Sequence, residues 1–127
     1  MTTEIIAAFI FTFTTSIVIL FQLALALGAP WGAASMGGKY PGVYPPKMRA
    51  VAVINVLILC FTAMIVLSRA GLFFPGFYSI SRIGIWVVVA FFIVGTVLNT
   101  ITPSKVERIW APVAGIQLAT SVLVALS

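Results

Sequence analysis

Four apolar runs, each about as long as a lipid bilayer is thick, constrain this chain more than any other feature. The clearest run lies between Arg49 and Arg69 and holds 19 uncharged residues, from Ala50 to Ser68. As an α-helix it would be about 28 Å long, close to the roughly 30 Å of a hydrocarbon core. A chain with four such runs is predicted to be all-α, a membrane-embedded four-helix bundle with four transmembrane helices.

The charge content also favours a membrane location. Only 7% of the 127 residues are charged, whereas a soluble domain has about 25% charged residues to cover its surface. The net charge is +5, and the cations lie at the edges of the apolar runs. This distribution suits anionic headgroups and predicts membrane lipids as partners. It does not suit nucleic acid, which would require a basic face on a soluble module.

Glycine and proline divide the chain into helices. A glycine and a proline follow the first run, two prolines precede the second, and a Thr-Pro-Ser break follows the third. Ser104 and Glu107 match a helix capping box, and Pro112 is expected to bend the fourth helix. We therefore predict a single transmembrane domain over residues 1–127, with helices at about 4–28, 47–69, 82–101 and 104–126.

The cations around the connectors orient the bundle. The connectors at residues 29–47 and 102–108 hold five lysines and arginines when the adjacent Arg49 is included, whereas the second connector holds two. Connectors rich in lysine and arginine stay in the cytoplasm. We therefore expect both of these connectors to be cytoplasmic and both termini to lie outside.

Four amide side chains interrupt the apolar runs: Gln22, Asn55, Asn99 and Gln117. From the helical rise, they lie about 5 to 13 Å from the boundary next to the first and third connectors, so all four fall in one half of the bilayer. Two interpretations are open. The amides either join neighbouring helices by hydrogen bonds, or they line a polar cavity that opens toward the first and third connectors.

The cavity interpretation predicts a ligand site near the cytoplasmic face. Its residues would supply cations to hold negative charge, amides to orient the ligand, a tryptophan wall and an acid that fixes the basic side chains. These residues are Trp31, Lys39, Arg49, Asn55, Asn99, Glu107 and Arg108, with Trp110 as a second wall. The cations favour an anionic or amphipathic ligand, such as a lipid headgroup.

Residues suited to catalysis are scarce. The chain has no histidine, one cysteine and two carboxylates, Glu4 and Glu107. The sequence therefore lacks a nucleophile with a base and a cluster of metal ligands. Its two carboxylates are not expected to meet within the bundle. We predict that the protein is not an enzyme and that it holds no metal and no cofactor.

Two other functions fit the same sequence. Amides and hydroxyls can line a homo-oligomeric channel or carrier for a small solute. A stripe of small residues, Ala111, Gly115 and Ala119, would suit contacts between copies, although packing of helices within one chain is the simpler explanation of the stripe. The remaining alternative is an accessory subunit of a larger membrane complex.

Short motifs, mainly in the connectors, carry a resemblance to known proteins. They are GAPWG at 28–32, GGK at 37–39, PGVYPPKMR at 41–49, RIGIW at 82–86, Asn99, and SKVERIWAP at 104–112. In these motifs the chain resembles a family of small, uncharacterised bacterial four-span integral membrane proteins. The resemblance implies a four-helix membrane fold and a bacterial origin, and hence the bacterial cytoplasmic (inner) membrane. It implies no particular activity.

Overall fold

The computed structural model describes residues 2–127 and is all-helical, with four long helices packed together. Each of these helices is long and apolar enough to cross a membrane. The predicted all-α four-helix fold is therefore confirmed, and the four spans indicate a multi-pass membrane protein.

The four helices are α1 (Thr3–Ala26), α2 (Pro46–Arg69), α3 (Tyr78–Ile101) and α4 (Trp110–Ala125). Short 3-10 turns lie in the connectors, at Gly32–Ala34, Met36–Gly38, Pro75–Phe77 and Glu107–Ile109. At the start of α1, the Thr2 hydroxyl accepts a hydrogen bond of 3.3 Å from the Ile5 N–H. Pro46 occupies the first turn of α2, where a missing N–H has no helical partner to lose.

Two helices begin at other residues than predicted. α3 begins at Tyr78, before the predicted residue 82, because the turn Pro75–Phe77 leads directly into it. The α-helical part of the fourth span begins at Trp110 instead of residue 104, after the turn Glu107–Ile109. Pro112 therefore lies in the first turn of α4, where its missing N–H removes no helical bond. The sequence predicted one continuous helix bent at Pro112. The span instead begins with a 3-10 turn that changes to an α-helix at Trp110.

The helices pack as a ring in which each contacts the next along the chain and α4 closes on α1, while α2 and α4 also touch across the middle. The first and third connectors meet at one end, where the Gly37 N–H donates to Glu107. We call this the connector end (residues 27–45 and 102–109). At the opposite, terminal end, Arg69 Nη2 donates to the Ser127 carbonyl at 2.5 Å.

Apolar side chains close the bundle from the terminal end to about its middle. Phe11, Ile65 and Ile85 are among the fully buried residues of this core. Phe11 also meets Phe92 edge to face, with ring centroids 5.3 Å apart. Hydrophobic packing therefore dominates this half of the bundle. Its buried hydroxyls, on Ser68, Ser81 and Ser121, donate to nearby backbone carbonyls, and the four side-chain amides lie in the other half.

The first connector is folded against the helices. Leu25, Tyr44 and Met48 are buried together and hold it to α1 and α2. Within the connector, the Gly32 N–H donates to the Gly42 carbonyl at 2.9 Å. A Cβ atom on Gly32 would lie 1.8 Å from the Tyr40 carbonyl oxygen, so this close approach of two backbone segments requires glycine.

Candidate functional site

A cavity of about 140 Å³ lies between the helices at the connector end. Each helix contributes one amide to its wall: Gln22 from α1, Asn55 from α2, Asn99 from α3 and Gln117 from α4. We call this cavity the amide chamber. All four amides therefore border one hollow, as the cavity interpretation predicts.

The hydrogen bonds of the amides distinguish the two interpretations of their presence. Gln117 Nε2 donates to Thr15 Oγ1 at 2.9 Å and so joins α4 to α1. In contrast, Gln22 Oε1 is buried without a partner among the described residues. The side chains of Asn55 and Asn99 border the chamber and form no hydrogen bond with another residue of 2–127. One amide therefore links helices, and three leave hydrogen-bonding capacity for what occupies the chamber.

Glu107 brings a carboxylate to the chamber wall. Its side chain is buried, at 8% exposure, and its two oxygens accept from the Gly37 N–H at 3.3 and 3.2 Å. Gly37 has a φ of +66°, a conformation that favours glycine. The hydrogen-bond partner of Glu107 is thus a backbone amide of the first connector, whereas the sequence predicted that it would fix basic side chains.

Hydrogen bonds from the third connector and from the first residue of α4 join the first connector and form a roof over the chamber. Ser104 Oγ donates to the Ala33 carbonyl at 2.5 Å, and Trp110 Nε1 donates to the Ala34 carbonyl at 3.1 Å. Ser104 Oγ also accepts from the Glu107 N–H at 3.3 Å, which is one half of the predicted capping box. The other half is absent because the Ser104 N–H donates to Thr102 Oγ1, at 3.2 Å.

Ser35 and Tyr44 add two hydroxyls to the chamber wall and share a hydrogen bond. Tyr44 is 3% exposed. Burial raises the pKa of the Tyr44 phenol, the Ser35 hydrogen bond lowers it, and the charge of Glu107 raises it further. The net shift is upward, so Tyr44 stays neutral over the physiological pH range.

Two of the spaces that share walls with the amide chamber also share Asn99 with it. An inner cavity of about 200 Å³ extends toward the apolar core and reaches Leu59 and Phe92. An open groove of about 630 Å³ lies between α2, α3 and the first connector and includes the apolar Leu98. We call it the lateral groove. Asn99 lines all three spaces, and Gly95 lines the inner cavity and the lateral groove.

Arg49 and Arg108 do not line these spaces, although the sequence placed them in the site. Arg49 Nε donates to the Ala26 carbonyl at 2.8 Å, and Arg108 Nε donates to the Thr102 carbonyl at 3.1 Å. Both acceptors are at the C-terminal ends of helices, α1 and α3, where carbonyls lack helical partners and positive charge is favourable. The two arginines therefore cap helices.

The other predicted residues divide between the chamber and its surroundings. Trp31 is 53% exposed and stacks on Phe21, with ring centroids 6.5 Å apart. It borders a groove outside the chamber, and Phe21 and Trp110 line both this groove and the chamber. Lys39 is exposed and lines the lateral groove beside Glu107. The predicted site residues that do line the amide chamber are Asn55, Asn99 and Glu107.

Ser35, Tyr44 and Phe21 line the chamber without having been predicted for the site. Phe21 precedes Gln22 in an apolar run, and nothing in its spacing separates it from aromatic side chains that face lipid. Ser35 and Tyr44 are positioned by the fold of the first connector. Within the described residues, no group of three histidine, cysteine or acidic side chains could hold a metal.

No protein-family model, no curated protein and no solved structure matches this chain. The resemblance of its motifs to small bacterial four-span proteins therefore stays a prediction. What can be said of function follows from the geometry of the amide chamber and its surroundings.

Proposed function

We propose that this protein is a non-catalytic integral membrane protein that binds a lipid or another amphipathic molecule. The polar head of the ligand would occupy the amide chamber, and its apolar tail would lie in the lateral groove. The observation that carries this proposal is the position of Asn99, which borders the chamber, the inner cavity and the lateral groove. The polar amide chamber therefore adjoins the lateral groove, which lies on the outside of the bundle and has apolar side chains in its wall.

The hydrogen-bonding state of the chamber supports a polar occupant. A buried acceptor without a partner costs about 1–3 kcal/mol, and Gln22 Oε1 is such an acceptor. A donor on the ligand would satisfy it once the Gln22 side chain turns toward the chamber that this residue lines. The chamber volume of about 140 Å³ corresponds to roughly four or five water-sized groups, which is suitable for a small headgroup.

The shape of the lateral groove supports an apolar tail. Met48 from α2 and Leu98 and Ile101 from α3 contribute to its wall. At Gly95 the wall has no side chain, and an added Cβ would meet nothing within 4 Å. A hydrocarbon chain can therefore lie beside Gly95 without displacing protein atoms.

The proposal includes a location in the bacterial cytoplasmic membrane, with residues 29–47 and 102–108 cytoplasmic and both termini outside. Five of the seven cations belong to the connector end or lie beside it, which supports this orientation. In a Cys60→Ser background, Lys39→Cys should be protected from an impermeant maleimide in intact cells and Phe73→Cys should be labelled. The reverse pattern would invert the orientation.

A second candidate is a homo-oligomeric channel or carrier for a small solute. Apolar packing around Phe11 and Phe92 closes the bundle beyond the inner cavity, so a pathway would have to run between copies. The α4 stripe supports such contacts, because Ala119 is exposed and an added Cβ on Gly115 would meet nothing within 4 Å. Solute flux into protein-containing liposomes that is lost in Asn55→Leu would favour this candidate.

Two matched glycine variants test the lipid-binding proposal. Gly95 and Gly115 both lie within helices and have open space beside them, but only Gly95 borders the inner cavity and the lateral groove. Wild type, Gly95→Phe and Gly115→Phe would be extracted in mild detergent from liposomes of phosphatidylethanolamine and phosphatidylglycerol. Native mass spectrometry would then count the retained phospholipids. Wild type and Gly115→Phe should keep one lipid that Gly95→Phe loses, and equal retention by all three would overturn the proposal.

A further inference from the structure

We infer that the head of the ligand is a cation, an ammonium group for which Glu107 is the counter-ion. This inference rests on the proposed function, because it names the chemical class of the ligand that enters the same chamber. The sequence favoured an anionic ligand instead. The positions of the charged side chains in the structure favour a cationic one.

The charge that borders the amide chamber is negative. Glu107 lines the chamber, and neither a lysine nor an arginine lines it or the inner cavity within residues 2–127. Arg49 and Arg108 donate to backbone carbonyls at helix ends. Lys39 borders the lateral groove, which Glu107 also lines, and does not line the chamber. An anionic head would therefore meet a carboxylate in a space of low dielectric, where like charges repel strongly.

The carboxylate of Glu107 has capacity for a second partner. A carboxylate offers about four acceptor sites, and the Gly37 N–H engages the oxygens through contacts of 3.3 and 3.2 Å, long for a hydrogen bond. The remaining acceptor capacity is available to the chamber. An ammonium group can donate a short, charge-assisted hydrogen bond to this carboxylate and form a buried ion pair with it.

The other chamber walls also suit a cation. Gln22 Oε1 is a buried acceptor without a partner in the described part of the chain. Phe21, Tyr44 and Trp110 bring aromatic rings to the same wall. The faces of aromatic rings attract ammonium groups, and this attraction increases when water is excluded. Residues that carry a carboxylate, an amide and aromatic rings thus line one space.

The test uses three ligands with the same tail: dodecylamine, which is protonated at pH 7, 1-dodecanol and dodecyl phosphate. Binding to the full-length protein in detergent micelles would be measured by native mass spectrometry. In a Trp31→Phe, Trp86→Phe background it would also be measured by the fluorescence of Trp110, which lines the chamber. Wild type should bind dodecylamine about ten-fold or more tightly than 1-dodecanol, as hydrogen bonds to charged groups imply, and dodecyl phosphate most weakly.

Two charge-removing variants assign the preference. Glu107→Gln keeps an oxygen for the Gly37 N–H and should bind dodecylamine and 1-dodecanol equally. Glu4→Gln removes the same charge from the first turn of α1, away from the chamber, and should keep the wild-type preference. A preference for the phosphate, equal binding of all three ligands to wild type, or an unchanged preference in Glu107→Gln would overturn the inference.

The outcomes separate this inference from the proposed function. If all three ligands bind equally and Gly95→Phe abolishes their binding, the amphiphile site stands and the cationic head is wrong. If none of the ligands binds, or if Gly95→Phe binds them as wild type does, the proposed function itself fails. Even if Glu107→Gln is unstable, comparing the three ligands on wild type shows whether the site prefers a cationic, a neutral or an anionic head.

Discussion

Glu107 and Gly37 are 70 positions apart in the chain, and at the roof of the amide chamber both carboxylate oxygens of Glu107 accept from the Gly37 N–H. This contact fixes the third connector to the first. It also holds a carboxylate against a cavity whose other polar groups are neutral. The structural role of Glu107 and the binding role that we propose for it can therefore be tested separately.

Removing the Glu107 side chain should destabilise the protein. In Glu107→Ala the part-buried Gly37 N–H loses its acceptor, and we expect the free energy of unfolding to fall by about 1–3 kcal/mol. Glu107→Gln keeps an acceptor oxygen and should lose less. Unfolding in mixed micelles of increasing SDS content, followed by far-UV circular dichroism, measures both. An alanine variant as stable as wild type would show that this contact contributes nothing to folding.

The two glutamines of the chamber should respond in opposite ways to replacement by leucine. Gln117→Leu breaks the bond to Thr15 Oγ1 and should cost about 0.6 kcal/mol, the average for interhelical bonds in membranes. Gln22→Leu removes a buried acceptor that has no partner, so stability should be unchanged or higher. The same SDS titrations compare them, and Thr15→Val completes a double-mutant cycle. A larger loss from Gln22→Leu than from Gln117→Leu would contradict the described hydrogen bonds.

Replacing Gly32 by alanine should disrupt the fold of the first connector. The added Cβ would lie 1.8 Å from the Tyr40 carbonyl oxygen, so the backbone must move and the bond to Gly42 is strained or lost. We expect a loss of more than about 2 kcal/mol. Gly76→Ala is the control, because an added Cβ there meets nothing within 4 Å. Equal stability of the two variants would show that the connector tolerates a side chain at residue 32.

Alkaline pH should weaken the connector end through Tyr44. Burial raises the pKa of Tyr44 in the folded protein, so the folded state holds this proton more tightly than the unfolded state does. Its stabilising contribution is therefore complete below the unfolded pKa of about 10 and is lost as pH rises above that value toward the raised folded pKa. Thermal unfolding between pH 8 and pH 12 measures the effect.

Tyr44→Phe provides the control for this pH dependence, since phenylalanine fills the same space and has no proton to lose. The variant should be less stable than wild type at pH 8, because the hydrogen bond to Ser35 is missing. The difference between the two proteins should shrink as pH rises above about 10. A constant difference across this range would mean that the ionisation of Tyr44 is not linked to folding.

Residue spacing predicted the four-helix fold and the level of the amides. A bilayer leaves a spanning chain few alternatives to helices, so the helical rise alone places Gln22, Asn55, Asn99 and Gln117 in one half of the bilayer. The contacts of the connectors were not predictable in this way. Arg49 of α2 donates to the Ala26 carbonyl at the end of α1, and Trp31 lies outside the chamber. Such contacts join residues far apart in sequence, and no local pattern encodes them.

The most direct test of the account is the side-chain NH₂ region of an ¹⁵N NMR spectrum in micelles. The chain has four side-chain amides, Gln22, Asn55, Asn99 and Gln117, so the region holds four pairs of signals, and all four groups line the amide chamber. On titration with dodecylamine, the signals of Gln22, Asn55 and Asn99 should shift and saturate together in wild type and remain still in Gly95→Phe. Unchanged side-chain amide signals in wild type, while backbone signals elsewhere respond to the ligand, would contradict binding in the chamber.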